Sequence, residues 1–151
     1  MEHIYQQLSE KHVIGTADDD TQLYVELKYV YSITGQKILN VFHINVPVND
    51  RHTGIATSII EICEKIAQAE HLIGIWVGPF VTDESDFLAK ICGKRKYYSC
   101  MPFGMIKQFR EHSPNTQNLL IPCVIDEDTH IKINKNMPYI ATDGIIQIRN
   151  D

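Results

Sequence analysis

The sequence predicts a mixed α/β (α+β) fold: a mostly antiparallel central sheet flanked by helices, with a β-rich C-terminal extension. Three observations predict it. Residues 23–33 are rich in β-branched and aromatic side chains, and Thr34-Gly35-Gln36 joins them to a second such run, 37–48, as an antiparallel hairpin. Apolar residues three and four apart over 53–70 mark a helix, and the short apolar run 72–77 after it suits a buried strand reached by a crossover. The tail holds three further short β-like runs, 119–125, 130–133 and 145–148.

The elements follow in order. Ile4, Leu8 and Val13 among polar residues give a short helix over 2–13, and Gly15 to Asp20 is a turn whose three aspartates lack the spacing of a calcium loop. In the first hairpin arm Glu26 and Lys28 share a face, so that strand is half-exposed. Thr82 is a helix cap with Asp83 and Glu84 in the first turn, Phe87, Leu88 and Ile91 form the apolar face, and Gly93 ends the helix. Residues 97–107 return as one strand interrupted by Pro102 and Gly104. The polar stretch 111–118 separates a core, 1–110, from an extension, 111–151, packed on the same domain, with turns at Asp126-Glu127-Asp128 and Asp143-Gly144.

Bulk properties exclude several functions. A chain of 151 residues with 44% hydrophobic and 22% charged residues is an ordinary globular domain. A net charge of −5, with the basic residues clustered only at Lys94-Arg95-Lys96, argues against direct nucleic-acid binding. That run is a solvated patch, a contact for the phosphorylated adenosine end of a nucleotide, or a contact for an acidic partner. Cys63, Cys92, Cys100 and Cys123 form no CxxC pair and no zinc spacing, and Cys63 falls on an apolar helix face as a buried thiol. Neither a signal peptide nor a run of about 20 apolar residues is present, so the expected setting is the cytoplasm, with no membrane.

The most informative segment is Arg51-His52-Thr53-Gly54-Ile55-Ala56, between the second hairpin strand and the long helix. A strand, a turn poor in side chains and a helix start make an anion site, because the first helical N–H groups lack partners and carry the positive end of the dipole. The plain alternative is a strand–helix turn with a glycine chosen for its backbone. In its element order the region 23–107 resembles the GNAT superfamily of acyl-CoA-dependent N-acetyltransferases, whose Gln/Arg-x-x-Gly-x-Gly/Ala motif these six residues match. Val46 stands five residues ahead of Arg51, where that family has a cofactor-contacting strand end, and Leu88 to Gly93 is similar to its next helix.

The resemblance implies that acetyl-CoA (coenzyme A) is bound by Arg51, His52, Thr53, Gly54, Ile55, Ala56 and Thr57, with Ile44, Asn45 and Val46 along the pantetheine arm. It implies transfer of the acetyl group to a primary amine of a small molecule or protein. The family's frequent catalytic tyrosine position, four residues before the terminal glycine, is Ala89 here. Asp83 replaces a frequent Asn, Lys94 a frequent aromatic, and Val48 a common Pro, with Pro47 displaced by one. The acid–base role therefore passes to other candidates: Tyr97 or Tyr98 as proton donor to the thiolate, and His43 as proton acceptor, a residue type that titrates near neutrality. The alternative is a catalytically degenerate binding or inhibitory protein of this fold that still binds coenzyme A. The extension offers a surface for a homodimer or another protein partner.

Overall fold

The computed structural model describes residues 2–32, 35–80, 86–100, 104–109, 122–123, 139–142 and 145–148. The hairpin arms are β2 (Tyr24–Ser32) and β3 (Lys37–Asn45), antiparallel as the alternation predicts. Strand β3 ends three residues earlier than expected, because Pro47 has no N–H to give a ladder and the chain turns into a short 3₁₀ segment, Val48–Asp50. Helix α2 (Ile55–Ala69) then crosses over to β4 (Gly74–Val77), which lies parallel to β3. Helix α1 (Glu2–Lys11) and β1 (Val13–Ile14) precede the hairpin, and α3 (Asp86–Lys94), β5 (Tyr98–Cys100) and β6 (Gly104–Gln108) follow β4.

The sheet order is β1-β2-β3-β4-β6-β5, with β3–β4 the parallel pair and the other pairs antiparallel. This is the mixed, mostly antiparallel sheet the sequence predicts. The tail contributes β7 (Pro122–Cys123), paired with the far end of β2, and a separate hairpin of β8 (Tyr139–Thr142) and β9 (Ile145–Ile148). Strand β8 was not expected. The expected strand over 130–133, the cap at Thr82 and both expected tail turns lie outside the described residues.

Two expectations need correction. Residues 97–107 are not one interrupted strand but two antiparallel strands, β5 and β6. Gly93 does not end α3; it lies inside the helix, and the left-handed residue that closes it is Lys96 (φ 69°). There the N–H of Tyr97 donates to Cys92 and that of Lys96 to Gly93, the paired bonds of a Schellman ending.

Pleating divides the core. Leu39, Val41, Ile75 and Val77 face the helices and pack with Leu8 of α1, Ile59, Cys63 and Ile66 of α2, and Cys92 of α3. Val30, Ile38, Trp76 and Ile106 form a second cluster on the opposite face. Gly104 belongs to that packing: a Cβ there would lie 2.4 Å from Trp76 Nε1 and 2.6 Å from the Val77 carbonyl oxygen. Gly104→Ala is therefore expected to lower stability by about 2 kcal/mol, read as a lower urea midpoint. An unchanged midpoint would show that β6 shifts freely away from Trp76.

Candidate functional site

The site is built where two parallel strands part. Strands β3 and β4 pair through Leu39–Ile75, Asn40–Trp76 and Val41–Val77, and there β4 ends while β3 runs on to Asn45. Asn40 fixes the vertex. It is buried, and its Nδ2 donates to the carbonyls of Trp76 (3.1 Å) and Gly78 (2.9 Å), while the Gly78 N–H donates to Val41. Immediately past the vertex the β2–β3 register slips: Glu26 faces His43 but Leu27 faces Val41, so Phe42 is an extra residue. A bulge of this kind bends its strand and strengthens the twist, turning β3 away from β4.

The opening holds a cavity of ≈ 510 Å³. Its floor is the edge of β3 from Val41 to Val46, and no described strand pairs that edge beyond Val41. Gly78, Pro79 and Phe80 after β4, Val48 and Arg51 after β3, Phe87 and Leu88 of α3, and Ala17, Asp20 and Tyr24 before and on β2 complete the lining, with His43 on β3.

The turn into α2 has the backbone that an anion cradle needs. His52 (φ 65°) and Gly54 (φ 86°) are both left-handed, and α2 starts with no side-chain cap on its first N–H groups. A Cβ on Gly54 would meet nothing within 4 Å, so the space before the helix is open. The Thr53 hydroxyl donates 2.5 Å to the Asp50 carbonyl within the turn, and Arg51 Nε donates 3.0 Å to the Val46 carbonyl. Ala56 is buried against Val46 and Leu88, with Ile55 packed beside them. The Ile55 and Ala56 side chains therefore anchor the start of the helix.

Of the expected coenzyme residues, the cavity is lined by Ile44, Asn45, Val46 and Arg51, but not by His52, Thr53, Gly54, Ile55, Ala56 or Thr57. Of the expected acid–base residues, His43 lines it, exposed. Tyr97 and Tyr98 do not. Tyr97 is buried on the helical face, its hydroxyl donating 2.8 Å to Glu64 Oε2. Burial, then the charge and hydrogen bond of Glu64, push its pKa far above the ordinary phenol range, so this proton is committed to α2. Tyr98 packs with the cluster around Trp76 on the other face.

Glu64 gathers that region. Arg95 reaches both its oxygens, Lys107 Nζ lies 3.3 Å from Oε2, and Arg95 also meets Glu61 at 3.1 Å. Burial pushes the Glu64 carboxyl up, but the Arg95 and Tyr97 hydrogen bonds and the Lys107 charge together hold it below the usual carboxylate range. Arg95 is thus absorbed, so only Lys94 and Lys96 of the basic run are exposed. The buried thiols of Cys63 and Cys92 are pushed up to about 12, chiefly by burial, and are unreactive as nucleophiles.

The sequence missed Tyr24, which lines the cavity and donates 2.7 Å to Glu26 Oε2. The signal was present: Tyr24 and Glu26 share parity on β2, on the face assigned to Glu26 and Lys28. Among the described residues no helix is long and apolar enough to cross a membrane. No protein-family model and no curated protein matches the sequence. A solved structure described as the crystal structure of a probable acetyltransferase is similar over 78% of this chain and 77% of its own, at 12% identity and a TM-score of 0.45.

Proposed function

We propose that the chain is an acetyl-CoA-dependent N-acetyltransferase acting on a primary amine. The observation that carries this reading is the fork: a cavity opened by the parting of β3 and β4, lined by a strand edge that no described strand pairs and by Arg51 beside a helix without a side-chain cap. The amide-bearing pantetheine chain of the coenzyme can hydrogen-bond to such an edge as an added strand would. The free N–H groups at the start of α2 suit its pyrophosphate.

The chemistry asks little more of the protein than alignment and proton handling. A neutral amine nitrogen attacks the thioester carbonyl carbon, and the carbonyl electron pair moves onto oxygen. Collapse breaks the C–S bond, the nitrogen loses its proton to a base, and the thiolate takes up a proton. Backbone N–H groups on the free edge of β3 can stabilise the oxyanion. His43, exposed in the cavity beside the Tyr24 ring, is the candidate base.

One observation favours a second reading, a protein that binds the coenzyme without turnover. Ala89 offers no hydroxyl, and the Tyr97 proton is committed to Glu64. Calorimetry with acetyl-CoA on the parent and on Gly54→Trp tests the binding shared by both. The bulky side chain enters the open space before α2 and forces a left-handed residue at a cost of about 1 kcal/mol, so the variant folds. Its affinity is expected to fall by about tenfold or more, a loss of about 1.4 kcal/mol. Equal binding by both proteins removes the cradle from the account; turnover with amine acceptors then separates enzyme from binding protein.

A further inference from the structure

Beside His43, the candidate base, the cavity lining includes Tyr24, to which the acetyltransferase reading gives no role. There Ala17, Asp20 and Tyr24 line it together with His43. Tyr24, Glu26 and Lys28 point to the face of β2 away from the helices, and on β3 Asn45 stands opposite Tyr24 and His43 opposite Glu26. The His43 ring lies 5.7 Å from the Tyr24 ring and 4.4 Å from the Phe42 ring. This part of the lining therefore combines aromatic faces with oxygen acceptors.

The Tyr24–Glu26 hydrogen bond decides what the wall can recognise. The phenol proton is given to Glu26 at 2.7 Å, so what Tyr24 can offer a ligand is its oxygen lone pair and its ring face. The hydrogen bond to Glu26, then burial, then the charges of Glu26 and Asp18, push the phenol pKa up to about 12, so it stays neutral at working pH. The carboxylate behind it makes that oxygen a stronger acceptor for a cationic N–H. Lys28, on the same face, has its ammonium 3.8 Å above the Phe42 ring, so that ring face is already occupied and Tyr24 is left for the ligand.

We propose that Tyr24, oriented by Glu26, selects an acceptor that carries a second ammonium group besides the amine that is acetylated, a small aliphatic diamine. The inference rests on the acetyltransferase reading for the position of the reacting amine. Tyr24 would touch the distal ammonium; Glu26 is a positioning residue acting through the Tyr24 hydroxyl.

The test compares diaminobutane with aminobutanol, which has a hydroxyl in place of the second ammonium, using the parent, Tyr24→Phe and Glu26→Gln. The parent is expected to favour the diamine by about tenfold in kcat/KM, the value of one hydrogen bond to a charged group. Tyr24→Phe brings the two acceptors level. Glu26→Gln weakens the preference through KM with kcat retained, and the KM for acetyl-CoA stays at the parent value in both variants. Equal use of the two acceptors by the parent, a preference that survives Tyr24→Phe, or faster acetylation of a lysine peptide than of the diamine would overturn the proposal. If acetyl-CoA binds and neither acceptor turns over, calorimetric titration of diaminobutane into the coenzyme-loaded protein decides. Saturable binding that is lost in Tyr24→Phe supports the wall, and no binding overturns it. Failure of acetyl-CoA itself to bind removes the acetyltransferase reading alone, and the same titration on the free protein still judges Tyr24.

Discussion

Glu64→Ala is expected to lower the unfolding free energy by about 3 kcal/mol, read from urea denaturation. The carboxylate is buried in α2 and joins Arg95 after α3, Tyr97 before β5, and Lys107 on β6. Its removal leaves a buried phenol without its acceptor and Lys107 without this counter-charge, while Arg95 keeps only the more exposed Glu61, the costly way to break a buried pair. Arg95 and Lys107 keep roughly a quarter of their side-chain surface exposed, at 27% and 29%, so water recovers part of the loss. Glu64→Gln keeps the shape and discriminates charge from packing. The folded Glu64 carboxyl lies below its unfolded value, so its charge stabilises the fold above the unfolded pKa of about 4.3 and ceases to as pH falls through the folded one. The stability gap between parent and Glu64→Gln should therefore be full at neutral pH and narrow below about pH 4. A gap that stays constant with pH would mean the network acts through packing alone.

Asn40→Leu is expected to cost a similar amount, about 3 kcal/mol, and to weaken coenzyme binding as well. The Asn40 amide satisfies two buried carbonyls, those of Trp76 and Gly78, at the point where β3 and β4 separate. Leucine fits an apolar interior but donates nothing, and each orphaned carbonyl costs about 1–3 kcal/mol. Gly78 lines the cavity, so its vertex should relax as well as weaken. A variant with parental urea midpoint and parental acetyl-CoA affinity would remove Asn40 from the account of the fork.

Much of this was legible in the chain because the underlying periods are simple. β-rich runs identified β2 and β3, and three-and-four spacing identified α2; Ile44, Asn45, Val46 and Arg51, which the family resemblance implied, line the cavity between them. What failed depends on geometry that no local pattern carries. The facing of Tyr97 follows from how the chain leaves α3, and that ending rests on Lys96 in a left-handed conformation instead of the expected Gly93. His12 and His71 are left-handed in the same way after α1 and α2, so glycine was a poor guide to helix ends here. Tyr24 shares the parity of Glu26, which the sequence carries, but its place opposite Asn45 follows from the β2–β3 register, which slips at Phe42 and which no local pattern carries.

The central claim is that the fork between β3 and β4, with the start of α2, receives the coenzyme. Titrating acetyl-CoA into isotope-labelled protein and following the backbone amide signals tests it directly. The account predicts saturable shifts concentrated on Phe42 to Val46 and on Gly54 to Thr57, with the signals around Glu64 and β6 little changed. Shifts centred elsewhere, or none with millimolar coenzyme, would contradict it.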